Sequence, residues 1–288
     1  VLCVFWIRTM SLADSLERFK RKLARLPKPH LGGWSCAVVE VGFHKGRGLR
    51  SILDTERSLN IEKLTKLSGC HSGRMEGQLI YVGIEPNVGF SGTLRTLEKK
   101  AQKAHIGAVL LTGTAMVGSQ GGTRAPFFID QHPIRLDNFS MSQASSLYGR
   151  GAHQHLSHTK PATVLVDLIS ASSLLQVLST MVPLSNVVLS LDCEGAEFDI
   201  LRQLLTKGML CRLAGFFVEF HLRVHSIVGA PADFQSSLQY IIGDPDCSVN
   251  FQPWAIFEDP LPPFKQPVAE AKFSERRAQR WSVREKAT

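Results

Sequence analysis

Two carboxylates stand two residues apart at the end of an apolar run in this 288-residue chain. The segment VLSLDCEGAEFDIL, residues 188–201, passes from buried-strand residues into Asp192 and Glu194, then turns and continues as an amphipathic helix. Glu219 and His221 follow another apolar run at the same spacing. Groups of this kind at a strand end can attract a cation or accept a proton. We predict Asp192 or His221 as a general base, with Glu194 and Glu219 as further catalytic residues.

Acids and glycines also follow the first two apolar runs. Glycines after a strand let the backbone turn sharply and approach a cofactor, and a carboxylate at the tip of the second strand can accept both hydrogens of a ribose diol. Two alternatives stay open: the glycines serve packing, and Glu85 caps the next helix. The predicted cofactor-binding residues are Glu40, Gly42, Phe43, His44, Gly46, Glu85, Pro86, Asn87, Thr114 and Asp192.

The charge of this edge indicates which nucleoside it suits. A pyrophosphate cofactor needs cationic groups and helix N-terminal amides, whereas this edge carries carboxylates that repel phosphate. The first turn also lacks the G-x-G-x-x-G spacing of dinucleotide sites. A sulfonium donor such as S-adenosylmethionine is positively charged and fits better.

A metal site is the less favoured interpretation of the same residues. Asp, Glu and His can bind a divalent cation, but hydrogen bonds from Glu194 and Glu219 to backbone or substrate are the simpler expectation. A second cluster, His153, His155 and His158, lacks zinc-motif spacing and reads as a polar loop. We therefore predict no metal ligands.

The elements that must position these residues alternate between strands and helices. A basic amphipathic helix is predicted over 11–26, and five apolar runs follow at 36–43, 78–87, 108–116, 186–195 and 213–221. This pattern is typical of a doubly wound, mostly parallel α/β sheet. If the fourth and fifth strands are neighbours, their acidic ends face each other. A polar insertion covers 68–78, and a long loop insertion at 117–162, with a strand at PFFID, is expected to lie over the ligand edge.

Three regions follow from composition: a basic helical N-terminal extension (1–30), a catalytic domain (31–250), and a proline-rich spacer with a basic C-terminal tail (251–288).

The net charge of +8 resides in the two ends, and the segment between them is near neutral, so nucleic acid is not an expected partner. VLCVFWI is too short to span a bilayer, so no transmembrane segment is predicted. The chain starts with Val rather than Met, which is compatible with a fragment, and Met10 is a candidate start of the natural chain. Six scattered cysteines favour a reducing, cytoplasmic location over a disulfide framework.

These residues resemble the FkbM family of S-adenosylmethionine-dependent methyltransferases over about residues 36–221. The resemblance rests on VVEVGFHKG, YVGIEPN, GFFVEFH and above all LSLDCEGAEFDIL. SSLYGR (145–150) and VLVDLI (164–169) stand where family members have a Ser-containing stretch and a short segment before the signature. Ser190 replaces the usual Lys, and His44 stands where Asn is common. The resemblance implies a class I, Rossmann-like methyltransferase fold and methyl transfer to a hydroxyl oxygen.

The predicted function is O-methylation of a small-molecule or carbohydrate hydroxyl with S-adenosylmethionine as cofactor. Two alternatives are left open. The first is a nicotinamide-dependent oxidoreductase, which shares the fold and the acid after the second strand. The second is a methyltransferase-like binding module without catalytic activity.

Overall fold

The computed structural model describes residues 13–27, 29, 33–53, 78–118, 124–129, 147, 162–220, 238, 244–247 and 249–253. In chain order its helices and strands are α1 (Ala13–Leu23), β1 (Cys36–Val41), α2 (Arg47–Leu53), β2 (Leu79–Glu85), α3 (Ser91–Lys103), β3 (Gly107–Thr112), β4 (Thr114–Val117), β5 (Arg124–Ile129), β6 (Ala162–Ser170), α4 (Ala171–Leu178), β7 (Val187–Leu191), α5 (Glu197–Thr206), β8 (Gly215–Val218) and β9 (Asn250–Pro253). Predictions for VLCVFWI, most of 68–78, the histidine cluster, His221, all of SSLYGR except Leu147, and the tail from residue 254 lie outside the described residues.

Six strands form the central sheet in the order β3-β2-β1-β7-β8-β9, and every neighbouring pair is parallel. The strands read as continuous apolar runs because both faces of the sheet are covered. Helices α2 and α3 pack on one face, and α1, α4 and α5 pack on the other. The predicted α/β arrangement with a mostly parallel sheet is therefore confirmed. The fourth and fifth predicted strands correspond to β7 and β8, which are neighbours in this sheet.

The third apolar run forms two strands rather than the one predicted over 108–116. Gly113 has a φ of 65°, which turns the chain between β3 and β4. β4 then enters a separate three-stranded sheet of order β4-β6-β5, in which β5 is antiparallel to β6. The strand expected at PFFID is present as β5. The apolar pattern continues through both strands, so hydrophobicity does not show where β3 ends. The chain turns at Gly113, which has the left-handed conformation.

Both ends of the described chain are more closely tied to the fold than the predicted boundaries imply. Phe19 and Leu23 of α1 are buried in the main core. At the other end β9 crosses the predicted boundary at residue 250 and adds a sixth strand. Cys211 and Cys247 form a disulfide just before β8 and β9, a bridge that their sequence spacing did not predict. Within the described residues, each helix is too short or too polar to cross a membrane.

Candidate functional site

The strand order of the central sheet reverses between β1 and β7. From β1 the chain continues to β2 on one side, while β7 continues to β8 on the other. The connections that leave two such strands diverge, which opens a crevice at the carboxyl ends, the usual ligand site of open α/β sheets. The predicted residues in the turns after β1, β2 and β7 therefore belong to the edge of the sheet where a ligand is expected.

Gly42, in the turn after β1, lies very close to the backbone of the turn after β7. It has a φ of 77°, and a Cβ at this position would overlap the carbonyl oxygen of Asp192. The amide of Gly42 donates to Ile84 O at 3.0 Å, and the amide of Asp192 donates to Val41 O at 3.0 Å. Glycine is thus required here by the close approach of the neighbouring turn, and the approach to a cofactor stays a prediction.

His44 and Glu85 connect the turn after β1 to the end of β2. The amide of His44, which has a φ of 54°, donates to Glu85 Oε2 at 2.7 Å. The amide of Asn87 donates to Glu85 Oε1 at 2.9 Å, so each carboxyl oxygen of this buried side chain holds one loop. The helical turn at 88–90 is capped by Asn87, whose Oδ1 accepts from Gly89 N at 2.9 Å, and not by Glu85.

The chemistry of Glu85 and His44 is set by their burial. Burial raises the pKa of Glu85 to about 8; the two backbone amides oppose this rise and nearby Asp192 adds to it. Burial also lowers the pKa of His44, and Lys45 lowers it further. The imidazole ring of His44 packs on Phe90 with ring centroids 4.4 Å apart. At neutral pH, Glu85 is therefore largely protonated and His44 largely neutral.

The residues that contact Glu40 could not be predicted from the sequence. Its register partners are Gly83 on β2 and Ser190 on β7. The hydroxyl of Tyr81 donates to Glu40 Oε2, and a Cβ at Gly48 would overlap that same oxygen. Strand alternation places Glu40 and Tyr81 on one face, but their contact depends on the register between β1 and β2.

Asp192 is the common neighbour of Glu40 and Glu85. Burial raises the pKa of Glu40 to about 8, Asp192 adds to the rise, Arg47 opposes it and Glu85 contributes a smaller increase. Because Asp192 also raises the pKa of Glu85, its carboxylate acts on both buried acids. The fold thus brings together three of the predicted residues, from three different strand ends.

The turn after β7 is held by a residue whose anchoring role was not predicted. Glu197, at the start of α5, is fully buried and its Oε2 accepts from Gly195 N at 2.7 Å. The thiol of Cys193 lies 3.7 Å from the same oxygen, and burial together with Glu197 and Asp192 raises its pKa well above the usual range. Glu194, which stands between Cys193 and Gly195, has a left-handed φ of 50°. Cys193 is therefore not a reactive thiolate at neutral pH.

The remaining predicted residues divide between the edge and the interior. Glu219 follows β8, and its amide donates to Leu191 O at 2.9 Å beside the turn after β7. Phe43 is buried, and its ring lies where a Cβ on Gly83 would stand. Thr114 is fully buried at the start of β4, and its hydroxyl accepts from Arg18.

Gly46 and Pro86 are the last two of the predicted cofactor-binding residues. Gly46 has a φ of 78°, and a Cβ there would overlap Leu97 of α3, so this glycine permits the helix to pack closely. Pro86 is partly exposed between Glu85 and Asn87. Among the described residues, no three His, Cys, Asp or Glu side chains are arranged to hold a metal ion. His221 is outside this description.

No protein-family model, curated protein or solved structure matches this chain. The site is therefore interpreted from its own geometry and chemistry.

Proposed function

We propose that this protein is an S-adenosylmethionine-dependent methyltransferase that acts on a hydroxyl group. The observation that carries the proposal is the convergence of Glu40, Glu85 and Asp192 at the point where the strand order reverses. The Asp192 carboxylate favours a cationic ligand and disfavours a pyrophosphate, and the two mainly protonated carboxyl groups beside it suit a ligand that carries hydroxyls. S-adenosylmethionine has both properties and would supply a methyl group on an excellent leaving group.

The two buried acids and Asp192 would have different roles toward such a ligand. With pKa values of about 8, Glu40 and Glu85 are mainly protonated at neutral pH and can donate as well as accept hydrogen bonds. Asp192, which is partly exposed, would interact with the positive charge. Asp192 or His221 would also accept the hydroxyl proton, with Glu194 and Glu219 positioning the acceptor.

A binding experiment separates the proposal from a nicotinamide-dependent enzyme of similar fold. Isothermal titration calorimetry should detect S-adenosylmethionine and S-adenosylhomocysteine but not NAD. Asp192→Asn should weaken S-adenosylmethionine binding about tenfold through loss of a charge-assisted contact. The matched control is Asp199→Asn, seven residues later on α5, whose carboxylate is 44% exposed and paired with Arg202. Binding of NAD alone, or equal effects of the two substitutions, contradicts the proposal.

The pH dependence of binding gives a second test. A bound sulfonium favours ionised carboxyls, so it lowers the pKa of Glu40 and Glu85 and binding should release protons at neutral pH. The affinity for S-adenosylmethionine should therefore rise relative to that for S-adenosylhomocysteine, which lacks the positive sulfur, between about pH 7 and pH 9. Both ligands carry the same amino group, so the ratio isolates the sulfonium. A constant ratio would show that the carboxyls do not face the sulfur.

Turnover distinguishes an enzyme from a scaffold that only binds the cofactor. Methyl transfer to sugar or small-molecule hydroxyls should be measurable with S-adenosylmethionine. Tight cofactor binding with no transfer to any hydroxyl class would favour a binding module.

A further inference from the structure

A polar cleft of about 210 Å³ lies at the outer edge of the central sheet, away from the crevice between β1 and β7. Its walls are α1 on one side and α3 on the other, and its floor is β3, the edge strand. The lining residues are Arg18, Lys22, Ser91, Leu94, Arg95, Glu98, Leu110 and Thr112. Ser91 begins α3, so the N-terminal turn of a 13-residue helix also borders the cleft, an arrangement that favours anions.

Part of this lining protects the edge strand. Glu98 Oε1 accepts from Leu110 N at 3.1 Å and from Lys22 Nζ at 2.6 Å. Arg18 donates to Thr112 O at 3.4 Å. These contacts cover backbone groups that would otherwise be open to pairing with another strand. They account for Glu98 and Lys22, but they leave Arg95 without a structural role.

The cleft has more positive charge than its own acids neutralise. Arg18 lies 3.5 Å from Asp167, but that carboxylate is shared with Arg124 at 2.9 Å. Arg95 is exposed and makes no ion pair within the described residues. The surplus positive charge therefore makes the surface at the opening of the cleft cationic.

A buried donor of Arg18 is unsatisfied. Among the described residues, its Nε–H is buried and lacks a hydrogen-bond partner. Because this atom is buried, it is not exposed to the cleft, and Arg18 contributes its positive charge rather than this donor. Guanidinium groups bind phosphate oxygens particularly well because their donors match the spacing of those oxygens.

Further cations flank the cleft at helical spacing. Arg21 and Arg25 lie one turn from the lining residues of α1, and Lys99 and Lys103 follow Arg95 along α3. All four are exposed. Their combined field would concentrate anions at the cleft.

We propose that this cleft binds the phosphate group of a small phosphorylated molecule, held by Arg95, with Arg18 and Lys22 adding positive charge. Its volume suits a single phosphate group with adjoining atoms. Among the described residues, no aromatic side chain lines it, whereas single-stranded nucleic acid is usually bound through base stacking. The exposed residues described on α1 and in the turn after it, Lys20, Arg21, Ala24 and Arg25, offer no large apolar group for insertion into a lipid surface.

Titration of the full chain with inorganic phosphate tests this site. Calorimetry at constant ionic strength, with chloride replacing phosphate in the reference, should give saturable binding. Arg95→Gln should weaken that binding about tenfold, because it removes a charged donor without breaking a structural ion pair. Lys100→Gln is the matched control, because it removes an equal charge from an exposed position of α3 that does not line the cleft.

The outcomes separate the ligand classes. Saturable phosphate binding that falls with Arg95→Gln and is retained within twofold in Lys100→Gln supports the site. Absence of saturable binding, or equal weakening by both substitutions, overturns it in favour of general charge attraction. Co-sedimentation with phosphatidylserine vesicles, or binding of a single-stranded oligonucleotide, without saturable phosphate binding also overturns it. None of these results depends on methyl transfer.

Discussion

The turns that follow β1 and β7 share one backbone design. Each runs for five residues, 42–46 and 192–196, between the end of a strand and the start of a helix. In each, the third residue is left-handed without being glycine: His44 has a φ of 54° and Glu194 a φ of 50°. In each, the amide of the fifth residue donates to the carbonyl oxygen of the second, at 2.8 and 3.3 Å respectively.

The two turns differ in the carboxylate that holds them. His44 N donates to Glu85, which is 41 residues away and belongs to another strand. Gly195 N donates to Glu197, which is two residues away in the helix that follows. The same local geometry is thus stabilised by a tertiary contact in one turn and by a local contact in the other. The turn after β1 should consequently depend more on the rest of the sheet.

The largest expected effect is that of Gly42→Ala. The added Cβ meets the carbonyl oxygen of Asp192 and the residue must also keep a φ of 77°, so we expect a loss of about 3 kcal/mol or more in the free energy of unfolding. Gly208→Ala is the control: its φ is 63° but no atom lies within 4 Å of the added Cβ, so strain alone should cost about 1–2 kcal/mol. Equal losses in urea denaturation would show that the two turns are not in tight contact.

A smaller effect is expected from the titration of Glu85. Its pKa rises from the ordinary value of 4.5 to about 8 in the folded protein, so between these pH values the folded state keeps a proton that the unfolded state releases. The contribution of Glu85 to stability should therefore be greatest below about pH 4.5 and be lost as the pH rises to about 8. Urea denaturation of Glu85→Gln should show a shallower decline over this range, with Glu40 responsible for a remaining slope.

The control for this pH profile is Glu17→Gln. Glu17 is 46% exposed on α1 and pairs only with nearby Lys20, among the described residues. This variant should keep the wild-type slope. An identical slope in Glu85→Gln and the wild type would mean that Glu85 is ionised in the folded protein.

The smallest expected effects come from glycine at the left-handed positions. Glu194→Gly relieves strain but increases the entropy of the unfolded chain, so the free energy of unfolding should change by less than about 1 kcal/mol. His44→Gly should be less stable than Glu194→Gly by about 1 kcal/mol, because it also loses the ring contact with Phe90. If thermal or urea denaturation gives the same value for both variants, the ring contact does not stabilise the turn after β1.

Much of the central sheet could be predicted because each buried strand is an uninterrupted apolar run. The run at 186–195 predicted β7, and the helical spacing of Phe198, Leu201 and Leu205 predicted α5. The break at Gly113 was missed because hydrophobicity does not change there. β9 was missed because its four residues include a proline and give no clear alternation.

The sequence by itself determined which residues end the strands, since acids and glycines after apolar runs mark the carboxyl edge of a parallel sheet. Glu40, Glu85 and Asp192 were identified in this way. The tertiary structure decided what each one touches: the register places Glu40 between Gly83 and Ser190, and the approach of two turns explains Gly42. It also placed Thr114 in the second sheet, next to Arg18. Contacts between residues distant in sequence depend on strand order and register, which local composition and spacing do not encode.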